Sequence, residues 1–165
     1  MKEVHNQNLE KFIEMVKDTR TCMFITMEKN AENISGRPMG ITKIDDDGTM
    51  WFFTKASSYK ADEIEESKKV AIAITNESSN NYLMIHGTAT LVNDKEKMAA
   101  LWGSIMKAWF PLGLDDPDMT LIKVIPTEVN YWDSSSSKMV VLFNMLKAIV
   151  TGKEYADGEH GKINL

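Results

Sequence analysis

The sequence is poor in cysteine and histidine, with one cysteine (Cys22) and three histidines among 165 residues. A single cysteine excludes a disulfide framework, and the histidines at positions 5, 86 and 160 lie too far apart to match the spacing of a zinc motif. A chain of this length buries roughly 70% of the surface that its unfolded form exposes, so it can fold without either device. The sequence therefore predicts no metal site, and it predicts Cys22 as a core residue.

Long apolar runs and an excess of basic residues are also missing. No window of about 18 apolar residues occurs, and the first residues lack the apolar segment of a signal peptide. Lysine and arginine number 19 against 24 acidic residues, a formal net charge of −5. This balance disfavours nucleic-acid and membrane-surface partners but is compatible with a local cationic pocket. We expect a cytoplasmic protein.

Several catalytic signatures are absent as well. The chain has no Gly-rich dinucleotide or P-loop motif, no Gly-x-Ser-x-Gly elbow and no His-Glu-x-x-His. No catalytic side chain is therefore indicated. With 43% apolar and 26% charged residues, the composition is that of one domain, which we place at residues 1–150, followed by a flexible C-terminal tail at 151–165.

Apolar periodicity predicts a mainly β chain with peripheral helices. Asp45–Gly48 ends in Asp-Gly between two apolar runs, a strong hairpin signal. A helix capped by Ser57 or Ser58 follows, with Ala61 and Ile64 on its inner face and Glu63 facing water. Because hairpins favour antiparallel pairing, a small barrel with helices at its ends fits best. The predicted elements are an N-terminal helix around Leu9–Val16, strands at Thr21–Met27, Arg37–Ile44, Thr49–Thr54, Val70–Thr75, Tyr82–Val92, Leu121–Ile125 and Glu128–Trp132, a helix from Asp94 to Trp109, and an apolar helix within Met139–Val150.

The segment from Phe53 to Lys60 is the most informative part of the sequence. A strand runs into a helix whose first turn offers free backbone N–H groups, the hydroxyls of Thr54, Ser57 and Ser58, and the ammonium of Lys60. Such a helix start suits an anion, and phosphate is the obvious candidate. Because the dipole contributes only about 0.3 to 1 kcal/mol when exposed, a second cation is needed. We expect Arg37, on the strand paired with the one ending at Thr54, to supply it.

Aromatic residues close two predicted elements. Trp109 and Phe110 precede Pro111 at the end of a helix, and Trp132 ends the last strand. Both groups are placed to enclose a flat ligand at a rim, although aromatic residues of a barrel more often fill its core.

Several short runs occur in a characteristic order between about Asn8 and Trp132. They are Arg37-Pro38-Met39, the hairpin from Asp46 to Thr54, Ser57-Ser58-Tyr59-Lys60, Trp109-Phe110-Pro111 and the segment from Pro126 to Trp132. Together they resemble the general stress protein 26 family, which belongs to the FMN-binding split β-barrels related to pyridoxamine 5'-phosphate oxidase. The resemblance implies a six-stranded antiparallel split barrel that forms a homodimer with FMN at the subunit interface.

The resemblance also implies roles for individual residues. Arg37, Ser58 and Lys60 match the phosphate ligands, and Trp132 matches a tryptophan beside the flavin, donated by the other subunit. The remaining residues expected to bind or line the cofactor are Pro38, Met39, Thr42, Phe53, Thr54, Ser57, Trp109 and Phe110.

The chain departs from the vitamin oxidase at four places. Thr42, Tyr59 and Tyr82 replace a lysine, an arginine and a glutamine, and Ser134–Lys138 replaces the Arg-rich segment that grips the vitamin phosphate. We therefore expect an FMN-dependent redox protein acting on another small molecule. Two alternatives stay open: a non-catalytic flavin sensor or storage module, and a barrel that binds deazaflavin or haem, with His86 as the haem ligand.

Overall fold

The computed structural model describes residues 2–29, 33–76, 81–133, 145, 147–151 and 159–165. Three α-helices and eight strands account for most of this part of the chain. In chain order they are α1 Lys2–Val16, β1 Thr21–Met27, β2 Ile34–Gly40, β3 Lys43–Ile44, β4 Met50–Lys55, α2 Tyr59–Glu66, β5 Lys69–Asn76, β6 Asn81–Val92, α3 Lys95–Leu101, two short 3₁₀ turns at Ser104–Ala108 and Gly113–Asp115, β7 Met119–Asp133 and β8 Glu159–Asn164.

The strands form one antiparallel sheet in the order β2-β1-β5-β6-β7-β4-β3, and β8 pairs with β7. The two edge strands of this path, β2 and β3, are separated in the chain only by residues 41 and 42. The backbone N–H of Ile41 donates to Arg20 O beside β1, and that of Thr42 donates to Trp51 O on β4. The sheet must therefore curl until its edges meet, which confirms the predicted mainly β, antiparallel barrel class. Among the described residues it has eight strands rather than six.

The inner face of the curled sheet carries the main core. Phe24 on β1 meets Phe52 on β4 edge to face, with ring centroids 5.2 Å apart. Alternate residues of β5 and β6, such as Ile72 and Ile85, are fully buried with them, as the period of two along a strand requires. A second cluster beneath α3 holds Trp51, Phe53, Met98, Phe110, Met119 and Leu121.

The two predicted C-terminal strands are one continuous strand, β7, because a bulge accommodates Pro126. Pairing with β6 shifts between His86 and Gly87, and the hydroxyl of Thr127 donates to His86 O at 3.2 Å. A Cβ on Gly87 would lie 2.6 Å from Ile125 O. The glycine therefore permits the close backbone approach. Proline has no backbone N–H to donate to the neighbouring strand, and the sheet tolerates it here because the pairing is irregular at this point.

Two other predictions need correction. The predicted helix from Asp94 to Trp109 ends at Leu101, since Trp102 is extended and a 3₁₀ turn follows Gly103. Asp94 does cap it, accepting from the N–H groups of Glu96 and Lys97 at 3.0 Å.

The tail expected to be flexible over 151–165 instead contains β8, whose Ile163 is buried in the main core. The serine run at 134–137 lies outside the described residues, and of the predicted helix at 139–150 only residues 145 and 147–150 are described, all helical. None of the helices in the described ranges is long and apolar enough to cross a membrane.

Candidate functional site

Arg37 lies on β2 opposite Phe24 of β1, and its strand does not pair with β4. The prediction that Arg37 and Thr54 are strand neighbours is therefore wrong. The chain leaves one edge of the sheet at Gly40 and joins the opposite edge at Lys43, so the hairpin across Asp45–Gly48 contains only Lys43–Ile44 and the start of β4. Helix α2, and not strand β4, brings Glu63 and Lys60 to Arg37.

The guanidinium of Arg37 is held by three side chains. It donates to Ser35 Oγ at 2.8 Å and to Glu63 Oε2 at 2.9 Å, and its other terminal nitrogen donates to Thr26 Oγ1. The Thr26 hydroxyl in turn donates to Glu63 Oε2 at 2.6 Å. An arginine has five N–H donors, so these three bonds leave two for another acceptor.

Glu63 is the central residue of this network, and the sequence prediction that it faces water is wrong. Glu63 is only 8% exposed, because α2 packs against β1 and places the carboxylate beside Thr26 and Arg37. A buried carboxylate requires such a cation and donors. Glu63 follows Ala61 by two residues and directly precedes Ile64, so helical spacing alone does not show whether it faces the protein or the solvent. The sequence signal that could have identified it is a carboxylate flanking the buried Ile64.

Lys60, at the second position of α2, is the other cation of the site. Burial is the main cause that lowers the pKa of its ammonium, the positive charge of Arg37 lowers it further, and Glu63 opposes both. Within the described part of the chain, the ammonium makes no hydrogen bond or ion pair. Two cations, Arg37 and Lys60, thus share the one carboxylate of Glu63 in a half-buried place, and among the described residues one positive charge is left without an ion-pair partner.

The turn between β4 and α2 carries the predicted hydroxyl groups. Thr54 is buried, and its Oγ1 lies 3.3 Å from Ser58 Oγ, which donates to Lys55 O at 2.7 Å. Ser57 is engaged elsewhere: its N–H and its hydroxyl donate to the Asp118 carboxylate at 2.8 and 2.7 Å. These bonds lower the pKa of Asp118. Ser57 is therefore not free for an external anion in this arrangement. Ser58, the N-cap of α2, makes no side-chain cap bond, but its hydroxyl hydrogen is already donated to Lys55 O.

The predicted aromatic residues separate into two environments. Phe110 is buried and packs on Phe53 with centroids 6.2 Å apart, so in this chain both belong to the second core. Trp109 and Trp132 are 59% and 53% exposed. Of the residues expected beside the flavin ring on and after β2, Pro38 is exposed and Thr42 is half-buried, whereas the half-buried Met39 packs against the main core.

Three other groups are accounted for without a ligand. Burial raises the pKa of the Cys22 thiol to about 12, which makes it an inert core residue. Lys97 lies 4.4 Å above the Trp51 ring and 3.3 Å from Asp45, so its charge is already matched. Among the described residues no group of three or more histidine, cysteine or acidic side chains could hold a metal ion.

Comparison with known proteins places this geometry in context. The model of the pyridoxamine 5'-phosphate oxidase-like family matches residues 7–156. A general stress protein 26 homologue from Jannaschia sp. CCS1 shares the fold, with a TM-score of 0.78, 22% identity and coverage of 94% of this chain and 97% of its own.

Two further relatives extend the comparison. A general stress FMN/FAD binding protein of Xanthomonas citri has a TM-score of 0.67 and 25% identity, covering 83% of this chain and 93% of its own. The protein bli-3 of Neurospora crassa is 20% identical over 157 residues, which are 90% of this chain and 75% of that protein.

Proposed function

Because the chain belongs to the pyridoxamine 5'-phosphate oxidase-like family, we propose that it is an FMN-binding redox protein that acts on a small molecule. The observation that carries the proposal is the unmatched positive charge that Arg37 and Lys60 leave beside Glu63 at the start of α2. A phosphate monoester, with a charge of about −1.5 to −2 at neutral pH, would neutralise it. The Xanthomonas citri relative, described as binding FMN or FAD, supports the same ligand class.

The residues present fit the phosphate of such a cofactor. Arg37 has two N–H groups left for an acceptor, and the Lys60 ammonium has no hydrogen-bond or ion-pair partner among the described residues. The hydroxyls of Thr54 and Ser58 lie at the same strand-to-helix turn, and that of Ser58 would have to turn away from Lys55 O to donate to a phosphate. The flavin ring supplies the electron or hydride transfer when it is bound. The protein's contribution is to hold the phosphate and enclose the ring with Pro38, Met39, Thr42, Trp109 and Trp132.

We further propose a homodimer with the cofactor at the subunit interface. Tyr82 and Trp132 are paired across β6 and β7 on the outer face of the sheet, and they are 44% and 53% exposed. Met23 on β1, 43% exposed, adds to the apolar character of that face. Large apolar side chains on one sheet face are typical of an interface. Sedimentation equilibrium of the Trp132→Ser protein should show dissociation, whereas Ile105→Ser, at another exposed apolar residue, should leave the dimer intact.

Oxidation of a vitamin phosphate is not the proposed reaction. The Arg-rich segment by which the vitamin oxidase grips the vitamin phosphate is replaced in this sequence by Ser134–Lys138, in which Lys138 is the one basic residue. A charge-assisted hydrogen bond contributes about 1.5 to 3 kcal/mol. A substrate phosphate would therefore be held weakly, and the substrate is expected to lack one.

The visible spectrum of the purified full-length protein tests the proposal. We expect flavin absorption, release of FMN on denaturation, and bleaching of the bound flavin by NADH or NADPH. A Soret band in place of flavin bands, or failure of the apoprotein to bind added FMN, would refute the cofactor assignment. A flavin that no physiological donor reduces would refute the redox role while leaving flavin binding intact.

A further inference from the structure

The Glu63 carboxylate is bound to the same guanidinium that is proposed to hold an incoming phosphate. Its Oε2 accepts both an N–H of Arg37 at 2.9 Å and the Thr26 hydroxyl at 2.6 Å, and the side chain is almost completely buried. Lys60 is a further charged group at this place, and Glu63 stabilises its charge. An acidic residue at the centre of this site repels the anion that the two cations would attract.

We propose that Glu63 is an internal competitor of the bound phosphate: it holds the Arg37 guanidinium in place when no ligand is bound and weakens the affinity of the site for a phosphate monoester. The inference rests on the proposed function for the identity of the ligand, and it assigns to Glu63 the control of how tightly the cofactor is held. Glu63 is a positioning residue here, since it acts through Arg37.

Two features of the geometry support this role. A guanidinium directs its N–H groups in a fixed plane, so the carboxylate that accepts one of them also sets the directions of the two that remain. The same carboxylate adds a negative charge to a half-buried place, where repulsion of a second anion is screened less than at an open surface. Glu63 thus keeps the site folded and ready, at the expense of affinity.

Glu63→Gln separates the two effects, because the amide oxygen can still accept from Arg37 and Thr26 while the negative charge is lost. The measurement is the ratio of the affinities for FMN and riboflavin in the apoprotein, which isolates the phosphate contribution. We expect the ratio to rise about fivefold or more at low salt and to rise less in high salt. General structural damage would instead weaken both ligands alike and leave the ratio unchanged.

Glu65→Gln is the matched control, since Glu65 is exposed on the same helix and its replacement changes the net charge equally. Its ratio should stay within about twofold of the wild-type value, because an exposed charge is well screened. A Glu63→Gln ratio that equals or falls below that of the wild type would overturn the inference. If Glu63→Gln does not unfold cooperatively, Glu63→Asp, which retracts the carboxylate by one methylene, should give a ratio above wild type, and a ratio at or below wild type overturns the inference.

A second readout uses inorganic phosphate and needs no flavin. The rise in melting temperature that phosphate produces should be larger in Glu63→Gln than in the wild type. If the wild type binds neither FMN nor riboflavin but this difference is seen, the proposed cofactor is wrong and the role of Glu63 stands. If phosphate stabilises Glu63→Gln no more than the wild type, the role of Glu63 is wrong, even where the wild type binds FMN.

Discussion

Replacing Lys60 or Arg37 by methionine removes the same charge from the candidate site but should have opposite effects on stability. Lys60 has no partner within the described residues, and burial together with Arg37 lowers its pKa. The folded state thus disfavours its charged form, so Lys60→Met should leave the free energy of unfolding unchanged or slightly higher at pH 7. Arg37→Met leaves Glu63 buried without its cation, which typically costs about 3 to 5 kcal/mol. Because the Arg37 side chain is 22% exposed, we expect the lower end of that range.

The two variants should nevertheless resemble each other in ligand binding. Each removes a charge-assisted bond to the phosphate, which is about 1.5 to 3 kcal/mol, or roughly 10 to 150-fold in affinity. Affinity for riboflavin should stay near the wild-type value in Lys60→Met. Urea unfolding of the apoproteins and fluorescence titration with FMN and riboflavin measure both quantities.

Lys107→Met provides the control, since it removes a lysine that is exposed and lies on the 3₁₀ turn away from α2. If Lys60→Met binds FMN as tightly as the wild type, Lys60 does not hold the phosphate. If Arg37→Met is as stable as Lys60→Met, the buried Glu63 does not depend on the arginine.

Three further changes test the fold around the site. Gly87→Ala should lower the free energy of unfolding by about 1 to 3 kcal/mol in urea, because the new methyl group meets Ile125 O at 2.6 Å in the β-bulge. Ile163→Ala should cost about 2 to 5 kcal/mol if β8 completes the core, and a loss within 0.5 kcal/mol would show that β8 is dispensable. Hydrogen bonds from Ser57 lower the pKa of Asp118 below its usual value of 3.8. These bonds therefore stabilise the folded protein fully above pH 3.8, and the stabilisation is lost as the pH falls through the lower pKa of the folded state. The urea midpoint should fall more steeply below about pH 4 in the wild type than in Asp118→Asn.

Local sequence signals predicted those elements of the fold whose bounds depend on residues close together in the sequence. Thr21–Met27 forms a strand with the predicted bounds, Ser58 and Asp94 precede helices as expected, and Asp-Gly forms the turn before β4. Each signal is a short-range rule of capping, turn geometry or period. Pro126 shows where such rules stop, because proline ends many strands but here is tolerated by a glycine on the neighbouring strand, about forty residues away.

Sequence reasoning also found the two cations of the candidate site, but it could not find what holds them. Arg37 and Lys60 stand out as basic residues near a strand-to-helix turn, and the family resemblance points to the same pair. Thr26 and Glu63 lie 37 residues apart, and their hydrogen bond exists only because α2 packs against β1. Helical spacing predicted that Glu63 faces solvent with the other acidic residues of α2. The hydrophobic period of a helix shows which positions are polar, but it does not show which polar side chain pairs with a distant residue.

The candidate anion site depends on the whole fold, because its two cations come from distant parts of the curled sheet. Arg37 is on β2, one edge of the sheet, whereas Lys60 follows β4, which is paired with the opposite edge strand β3. No hairpin joins the two cations, so curling of the sheet and the docking of α2 on β1 are what bring them together. Two positive charges would repel each other at that seam. The buried carboxylate of Glu63 offsets this repulsion in the absence of ligand, and the same charge would oppose a phosphate that binds beside Arg37.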